Sequence, residues 1–548
     1  MRSVDVVANV VAEEGVTEVF GLMGDGNLNL ITYLTEALKV PFHSSRHEAI
    51  AIGMADGYAR VKGETAFCTV TQGPGLTNTI TALVTARKAR TPMVLYVGDV
   101  PPSQAGWPQD LDHHRLLESI DIPVINLVDP KTVHDDVRLA FARARAERRP
   151  IVLNQPIDQQ KAEWEPWDDD IEIERKDDDA LIPLEPSQEQ LDALVALLES
   201  SSRPLIVAGK GARGARDALV RLGDHVGALM ATTLPARGLF ADLPTDLGVV
   251  GSLASNLGAS LIGRADLVLA FGASLNDFTT MKRTIFAESA TVVRIDLEPT
   301  NDRPNRLPAD LEVIADSAVA AMALIAAAPS GLVRFRTEEN LKSIGDFSID
   351  EEFADRSDDE GLDPRTLMRA LERVLPSSRT IVSDVGHFFG FPVSYMDSEP
   401  GDQFIATVDF GAVGTGLGVA IGASIAEPDK LTVAFVGDGG LMMSLGDLDT
   451  AMRESKSMLI VVMNDSSYGS ELHMLREWKL DVSTVVFPFV SFQAVAAALG
   501  VRSASVVDIA DLPAALSTLP DSQSGPLLID CKITTHVVAD WLAGAFDH

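Results

Sequence analysis

The chain has 548 residues, of which 46% are hydrophobic and 23% are charged, and its formal net charge is −34. This composition is typical of a folded protein with several domains and excludes a disordered or collagen-like chain. The excess of acidic residues excludes nucleic acid as a default partner, because phosphate binding requires clustered cations. High solubility and adaptation to salt both remain open as the origin of the acidity.

The sequence predicts a cytoplasmic protein without a membrane partner. The longest apolar run, residues 318–328, has 11 residues, whereas a membrane-spanning helix needs about 20. Asp5 and Glu13 interrupt the region in which a signal peptide requires an apolar run, so we expect no secretion. Cys68 and Cys531 lie far apart in the sequence, which indicates neither a disulfide framework nor a metal cluster and fits a reducing cytosol.

Short β-branched runs alternate with longer amphipathic segments along the chain, for example TAFCTV, PMVLYVG, PLIVAG and LTVAFVG. This order predicts an α/β fold of three Rossmann-like domains, each with a central, mostly parallel sheet flanked by helices. Two charged segments, 163–188 and 331–363, are predicted as linkers, and they divide the chain into blocks 1–162, 189–330 and 364–548. Ligands of open parallel sheets bind at the carboxyl ends of the strands, so functional residues are expected there.

The first block carries polar residues in three segments and one loop. Asp25 lies in GLMGDGN, Glu48 in RHEAIAIGMADGYAR and Gln72 in TQGPGL. Taken alone, Asp25 is a turn residue and Glu48 a charge at the start of an alanine-rich helix. His113 and His114 follow in WPQDLDHHRLLE, and a histidine pair in a loop is often a surface feature.

In the last block, two strands each end in a carboxylate. The strand LTVAFV ends at Gly437-Asp438-Gly439, and MLIVVM ends at Asn464-Asp465. Glycines beside the first carboxylate let backbone N–H groups approach a phosphate, and paired hard oxygens suit Mg²⁺. Gly, Asp and Asn are also turn residues, but the second strand with its own carboxylate favours a metal–diphosphate site.

These motifs resemble the signature of the thiamine-diphosphate enzymes, in which GDG is followed, some two dozen residues later, by Asn-Asn. Here 24 residues separate Gly439 from Asn464, and Asp465 replaces the second asparagine. RHE, ADGYAR and GPG follow the order of the pyrimidine-binding domain in the pyruvate decarboxylase and acetolactate synthase group. The resemblance covers essentially the whole chain, and it makes the three blocks the pyrimidine-binding, central Rossmann-like and diphosphate-binding domains.

The resemblance implies thiamine diphosphate and Mg²⁺ as cofactors. Glu48 is expected beside the aminopyrimidine ring, where it assists removal of the C2 proton. DFGAVGTGLG resembles the segment that bends the cofactor, with Val413 as the apolar wedge and the Gly411 carbonyl as an acceptor. The expected metal ligands are Asp438, Asp465 and the Ser467 carbonyl, and the other cofactor-binding residues are Gln72, His387, Gly437, Gly439 and Gly440. For His387, a role as a plain turn residue remains open.

The central block contains a loop, GKGARG, that is similar to a nucleotide-binding loop. In some relatives this domain binds FAD or ADP. The loop lacks a full GxGxxG motif, and FAD would be redox-idle in the expected chemistry, so we expect no FAD.

Four positions match the acid–base set of the pyruvate and indolepyruvate decarboxylases, namely Asp25, His113, His114 and Glu471. The implied activity is non-oxidative decarboxylation of a small-molecule 2-oxo acid to an aldehyde, because such groups can return a proton to the reacting carbon. The loop around Gln109 also resembles acetolactate-synthase-like enzymes, so carboligation stays an alternative, as does hydrolysis of a 1,2-diketone. Glu471 alone is also a common helix-start charge. A catalytically idle scaffold is disfavoured by the intact cofactor residues.

The resemblance also implies an active site that two subunits share. Glu48 would reach the cofactor from one chain while Asp438 and Asp465 hold it from another. We therefore expect a homodimer or a homotetramer with active sites at the subunit interface.

Overall fold

The structure is a computed structural model that describes residues 1–164, 184–299, 305–330, 334–401, 403–517, 519 and 525–543. It contains three six-stranded sheets, and the paired strands of each sheet run parallel. The predicted α/β class, with three parallel sheets flanked by helices, is confirmed.

The first sheet has the strand order β2-β1-β3-β4-β6-β5. Its strands are β1 (Val19–Gly21), β2 (Phe42–Ser44), β3 (Ala66–Val70), β4 (Met93–Asp99), β5 (Val124–Asn126) and β6 (Pro150–Pro156). The helices around it are α1 (Ser3–Glu13), α2 (Leu28–Thr32), α3 (Glu48–Lys62), α4 (Pro74–Thr77), α5 (Ile80–Lys88), α6 (His113–Ser119), α7 (Val133–Glu147) and α8 (Ile157–Gln160). Strand β3 is buried along its whole length, as expected for a sheet covered on both faces.

The central sheet has the order β12-β11-β10-β7-β8-β9. Its strands are β7 (Pro204–Ala208), β8 (Leu229–Thr232), β9 (Asp246–Val249), β10 (Leu267–Phe271), β11 (Thr291–Asp296) and β12 (Leu311–Ile314). The helices of this part are α9 (Gln188–Ser200), α10 (Arg216–Val226), α11 (Asn256–Ile262), α12 (Ser317–Ala327) and α13 (Glu338–Asp346).

The last sheet has the order β14-β13-β15-β16-β18-β17. Its strands are β13 (Arg379–Ser383), β14 (Gln403–Ala406), β15 (Leu431–Gly437), β16 (Met458–Asn464), β17 (Arg502–Val506) and β18 (Leu527–Lys532). Its helices are α14 (Pro364–Glu372), α15 (Gly390–Tyr395), α16 (Gly416–Ala426), α17 (Asp438–Met443), α18 (Leu448–Glu454), α19 (Gly469–Glu477), α20 (Phe492–Ala498), α21 (Leu512–Ala515) and α22 (Asp540–Ala543).

The structure describes little of the first predicted linker and places a helix within the second. Most of 163–188 lies outside the described residues. Within 331–363 the structure places helix α13, which begins after Thr337, whose side chain accepts a hydrogen bond from the Asn340 N–H. Ile344 of this helix packs against the core beside the central sheet. A single apolar contact of this kind gives no sustained apolar period, so the helix was not visible in the sequence pattern.

Helices α3 and α16 join the first and last sheets through one continuous apolar core. A Cβ at Gly57 would lie 2.0 Å from a carbonyl oxygen of α16, and one at Gly422 would lie 1.9 Å from a carbonyl oxygen of α3. Such an approach tolerates glycine alone. Because Glu48 begins α3 and the segment Gly411 to Thr415 leads into α16, this packing fixes two segments with predicted cofactor contacts relative to each other within the chain.

Two expectations from composition can be compared with the structure. Both cysteines are buried and free, and burial raises the pKa of each thiol. Among the described residues, no helix combines the length and the apolar character that crossing a membrane requires.

An imidazole between two carboxylates ties the first sheet to the last domain. His43 on β2 lies 2.7 Å from Glu18 Oε2 through Nε2 and 2.6 Å from Glu454 Oε2 through Nδ1, and Glu454 is the last residue of α18. Burial alone would lower the pKa of His43, but the two carboxylates outweigh it and raise the pKa to about 9. The imidazole is therefore charged at neutral pH.

Replacing His43 by glutamine should lower the free energy of unfolding by about 3 kcal/mol near pH 6, since one pKa unit corresponds to about 1.4 kcal/mol. The charged His43 stabilises the folded state fully below pH 6.5, the pKa of an unfolded histidine. This stabilisation is lost as the pH rises through about 9, the pKa in the folded protein. Urea unfolding should thus show a difference in the free energy of unfolding between the unaltered protein and His43→Gln near pH 6, and this difference should vanish near pH 10.

The matched control is His134→Gln, because His134 makes exposed ion pairs on the surface of the same domain. Its effect should stay below about 1 kcal/mol. A loss of stability in His43→Gln that is the same at both pH values would contradict the role of the His43 charge.

Candidate active site

The carboxyl ends of two neighbouring strands in the last sheet bring two carboxylates together. Strands β15 and β16 are paired in parallel, with Gly437 opposite Met463. Asp438 and Asp465 follow directly, so both lie at the same edge. Burial raises the pKa of each, and the Asp465 charge raises the pKa of Asp438 further. A bound cation would reduce the repulsion between two such buried carboxylates.

A tight turn holds Asp465 in place. Its Oδ1 accepts hydrogen bonds from the backbone N–H of Ser467 at 3.0 Å and from the Ser467 hydroxyl at 2.9 Å. Ser466 between them has a φ of 55°, which a non-glycine residue adopts only under constraint. A Cβ at Gly469 would lie 2.7 Å from Asp465 Oδ2. The turn therefore leaves Oδ2 open on the side where glycine keeps space.

Glycines keep the start of α17 close to its neighbours. A Cβ at Gly439 would lie 2.7 Å from the Tyr468 ring, and one at Gly440 would lie 2.7 Å from Asp384 Oδ2. Gly437 closes strand β15 just before them. Side chains are thus excluded along this stretch, and its backbone N–H groups remain accessible to a ligand.

The segment that leads into α16 is held by one buried carboxylate. Asp384, which follows β13, accepts hydrogen bonds from Gly414 N–H at 2.8 Å, Gly416 N–H at 3.1 Å and the Thr407 hydroxyl at 3.1 Å. Gly411 and Gly414 have φ values of 74° and 85°. Val413 between them is exposed. The segment is therefore bowed outward beside the start of α17.

Replacing Asp384 by asparagine should weaken cofactor binding about 10- to 100-fold, since an unsatisfied buried donor costs about 1–3 kcal/mol. The amide keeps one accepting oxygen and turns a donor toward a backbone N–H of the bowed segment. Calorimetric titration with thiamine diphosphate measures the affinity.

The control for this change is Asp363→Asn in the same domain. Asp363 is fully buried and caps α14 by accepting from Arg365 N–H at 2.9 Å. Asp363→Asn should lower the free energy of unfolding and leave the cofactor affinity unchanged. Equal losses of affinity in both variants would show that Asp384 acts through stability alone.

At the edge of the first sheet, Glu48 is the first residue of α3. Its Oε2 accepts a hydrogen bond of 2.9 Å from the Asn78 side chain. The carboxylate is half-buried. It is therefore oriented by the neighbouring loop and remains accessible from outside the chain.

Gln72, which lies just after β3, forms a polar network with residues of two other loops. Its Nε2 donates to Asp25 Oδ1 at 3.0 Å and to Gln109 Oε1 at 2.9 Å. Thr71 donates to the same Asp25 oxygen at 3.1 Å. The structure thus brings together Asp25, Gln72 and Gln109, which the sequence places in three separate segments.

The two predicted histidines separate. His113 is buried; its Nε2 accepts from Gly73 N–H at 3.3 Å and its Nδ1 pairs with Asn154 Oδ1 at 2.9 Å, so Nδ1 carries the proton. His114 is exposed and bonds Asn126 Oδ1 at 2.8 Å. His113 therefore supports the loop after β3, and His114 lies exposed beside the end of β5.

Helix α19 brings further groups to the last sheet. Glu471 in its first turn is exposed. His473 is buried with its ring centroid 4.3 Å from that of His387, and burial lowers the pKa of both imidazoles, that of His473 to about 4. His387 Nε2 accepts from Ala539 N–H at 2.9 Å. His387 is thus a neutral group close to the Gly469 turn.

Within one chain the segment before Glu48 contacts the last domain, where Arg46 N–H donates to Asp447 Oδ1 at 2.8 Å. Across the part of the chain that the structure describes, no hydrogen bond or ion pair joins Glu48 to Asp438 or Asp465. Exposed apolar side chains surround the edge of the last sheet, namely Phe410, Val413, Met442, Met443, Tyr468 and Phe487. A patch of this kind marks an interaction surface.

Three residues of these edges were missed in the sequence. Asp384, Asn78 and Tyr468 touch the predicted residues but were not themselves predicted. Asp384 could have been found, because it follows a predicted strand, RTIVS, at the edge where ligands bind. Asn78 and Tyr468 carry no such signal.

Among the described residues, no group of three or more His, Cys, Asp or Glu side chains converges on a metal position. Mg²⁺ does not require one, because it typically takes one or two carboxylates and completes its shell with phosphate oxygens and water. Two carboxylates beside an accessible glycine backbone fit this donor set.

Three family models match the chain in sequence. Residues 1–120 match the N-terminal TPP binding domain of thiamine pyrophosphate enzymes, residues 191–324 the central domain and residues 384–531 the C-terminal TPP binding domain. Each matched range contains most strands of one of the three sheets. The family resemblance seen in the motifs is confirmed.

Several characterised proteins are similar over most of the chain. Acetolactate synthase 1, chloroplastic, of Oryza sativa subsp. japonica is 27% identical over 87% of this chain and 74% of its own length. Acetolactate synthase, chloroplastic, of Arabidopsis thaliana is 26% identical over 98% of this chain and 82% of its own. The probable acetolactate synthase large subunit of Methanocaldococcus jannaschii is 27% identical over 87% and 82%.

A solved structure has the same fold. The thiamine diphosphate-dependent 4-hydroxybenzoylformate decarboxylase of Rhodococcus jostii RHA1 superposes with a TM-score of 0.81 and covers 97% of this chain and 99% of that one. Its sequence identity is 21%, so the likeness concerns the fold.

Proposed function

Because the chain belongs to the thiamine pyrophosphate enzymes of the pyruvate decarboxylase and acetolactate synthase group, we propose that it decarboxylates a 2-oxo acid without oxidation and releases an aldehyde. Thiamine diphosphate, when bound, supplies the electron sink for the carbon–carbon bond that breaks. The observation that carries the proposal is the pair Asp438 and Asp465 at one sheet edge, whose raised pKa values mark a site that suits a cation.

Mg²⁺ is held by Asp438, Asp465 and the Ser467 carbonyl in this proposal. The diphosphate contacts the backbone of Gly437, Gly439 and Gly440, where added side chains would clash with Phe388, Tyr468 and Asp384. His387 and Gln72 complete the cofactor contacts. FAD is assigned no role.

The bowed segment and Glu48 act on the aminopyrimidine ring. Val413, exposed at the tip of the segment, supplies the apolar wedge, and the Gly411 carbonyl accepts a hydrogen bond. Glu48 holds or accepts a proton at the ring nitrogen, and Asn78 orients its carboxylate. These residues prepare the proton transfers and bind no metal.

The active unit is a homodimer, or a homotetramer of two such dimers. Glu48 comes from one protomer and the metal carboxylates from the other. The exposed apolar side chains around the last sheet support this, because they mark an interaction surface.

The carboxyl groups of Glu471 and Asp25 take up a proton from water and transfer it to the reacting carbon. Glu471 is exposed in the first turn of α19, four residues beyond Ser467. Among the described residues its carboxylate has no hydrogen-bond or ion-pair partner, so it is free to meet a substrate. His113 and His114 begin helix α6, and they keep their predicted roles only if ligand binding reorients that end of the helix.

Carboligation is the second candidate, and the Gln72 network favours it. Gln109 rather than a histidine joins Asp25 and Gln72. The relatives named acetolactate synthase are similar over most of the chain. In this case the reacting carbon attacks a second carbonyl group instead of taking a proton.

Product analysis separates the two candidates. The full chain with thiamine diphosphate and Mg²⁺ is given pyruvate, 2-oxoisovalerate and benzoylformate, and CO₂, aldehyde and 2-hydroxyketone are measured. Glu471→Gln should slow aldehyde release about 10²–10⁴-fold and raise the share of hydroxyketone, because a general acid is lost.

The control is Glu477→Gln at the other end of the same helix, which should change neither quantity. Hydroxyketone as the main product of the unaltered protein would favour carboligation. Absence of CO₂ with every 2-oxo acid would contradict both candidates.

A further inference from the structure

A cavity of about 230 Å³ lies where the three domains meet. The end of α3 and the loop after α5 contribute Arg60 and Arg90, and the loop after β7 contributes Lys210 and Arg213. The last domain closes it with strand β14 and the residues that follow, down to Asp409. Four cations around one cavity are unusual in a chain with a net charge of −34.

The cavity lies at the point of the central sheet where ligands of such sheets bind. Strands β7 and β10 are neighbours, and the chain order runs outward from them in both directions. The loops that follow these two strands therefore diverge and leave a crevice between them. Lys210 and Arg213 lie in the loop after β7.

Two of the four cations have carboxylate partners. Arg60 lies 2.7 Å from Asp56 Oδ2 and 3.0 Å from Asp409 Oδ2. Arg90 pairs with Glu298. These charges are compensated within the protein.

Lys210 and Arg213 have only neutral hydrogen-bond partners among the described residues. Lys210 donates to the Ala89 carbonyl, and Arg213 donates to Gln403 Oε1 at 2.8 Å. Although the Lys210 side chain opens onto the cavity, desolvation by the surrounding protein and repulsion by Arg60 lower its pKa to about 8, because the attraction by Asp409 and Asp56 offsets them only in part. An anion in the cavity would relieve both effects.

The rest of the wall is apolar. Leu234 and Pro235 line it from the central domain, and Phe404, Ile405 and Val408 from the last domain. A ligand that fits must therefore combine one anionic head with a short apolar body.

A nucleotide does not fit this description. Gly209 and Gly211 face the loop after β10 so closely that a Cβ on them would lie 2.2 Å and 3.0 Å from Gly272. The glycine backbone that would cradle phosphates is thus already packed against protein. A volume of about 230 Å³ is also below the usual range of about 300–1,000 Å³ for drug-sized ligands.

We propose that this cavity binds a small organic monocarboxylate, with its carboxylate between Lys210 and Arg213 and its apolar body against Leu234 and Ile405. Asp409 in the wall immediately precedes Phe410 and Gly411, which begin the bowed segment at the cofactor edge. A ligand in the cavity therefore affects the position of the bowed segment through the ion pair of Arg60 and Asp409.

The test is calorimetric titration of the full-length, cofactor-loaded protein with isovalerate, which has a carboxylate and a short apolar body but no 2-oxo group. Isovaleramide is the neutral control. Isovalerate should bind at least about tenfold more tightly than the amide, because a charge-assisted hydrogen bond is lost. A crystal soaked with isovalerate shows whether it lies beside Lys210.

Variants locate the binding. Lys210→Met and Arg213→Met should each weaken isovalerate binding about tenfold or more, whereas Lys456→Met, an exposed lysine elsewhere, should not. Equal affinity for acid and amide, unchanged affinity in both variants, or no binding of isovalerate would overturn the proposal. Tighter binding of ADP or inorganic phosphate at this place would overturn the monocarboxylate assignment.

Discussion

Replacing Asp438 by alanine should leave a folded protein that no longer retains thiamine diphosphate. Asp438 directly follows strand β15, and with Asp465 it forms the metal-donor pair in our proposal. We expect the cofactor affinity to fall at least about 100-fold, because even residues that only support metal ligands change affinity about 10–100-fold. Gel filtration followed by cofactor assay of the protein fraction measures retention.

The same variant should be more stable than the unaltered protein when both are free of metal and cofactor. Burial and the Asp465 charge raise the pKa of Asp438, so its ionised form costs folding energy above the unfolded value of 3.8. Removing it should raise the free energy of unfolding by about 1–3 kcal/mol near pH 8 and have little effect near pH 4. Urea unfolding in the presence of a chelator measures this gain.

Opposite changes in stability and binding distinguish a functional carboxylate from a structural one. Asp429→Ala is the matched control, because Asp429 is exposed near the other end of the same strand, β15. It should alter neither quantity. If Asp438→Ala keeps the full cofactor affinity, the metal–diphosphate assignment is wrong.

The positions of strands and of their carboxyl ends were predictable, since they depend on local patterns. Buried parallel strands are short apolar runs, and β15 and β16 end within one residue of Asp438 and Asp465. The rule that ligands meet such ends then places both carboxylates together. For the same reason Gln72 and Asp25, which follow β3 and β1, lie at one edge.

The orientation of single side chains was not predictable from the motifs. His113 and His114 are adjacent in sequence, but they begin helix α6, in which neighbours point about 100° apart. One side chain therefore turns into the domain and the other to its surface. The bonds of Asp384 to Gly414 and Gly416 span about 30 residues, and no local pattern records such a contact.

Replacing Glu48 by glutamine should slow turnover about 10²–10⁴-fold and leave cofactor binding intact, because the change removes a proton-transfer group and little else. The amide oxygen can still accept the hydrogen bond of Asn78, so the loop keeps its shape. Hydrogen–deuterium exchange at C2 of the bound cofactor, measured by NMR after acid quench, should slow by a similar factor. Glu64→Gln, exposed beyond the end of the same helix, is the control.

Mixing the Glu48→Gln chain with the Asp438→Ala chain then tests whether two protomers share the site. In a hybrid dimer, one site combines the intact Glu48 of one chain with the intact Asp438 of the other, and the second site lacks both. Random pairing makes about half of the dimers hybrid, so about a quarter of the normal activity should return. Hybrids isolated with two affinity tags should keep about half. If such hybrids form and stay inactive, Glu48 and Asp438 act within one chain, and the shared site must be abandoned.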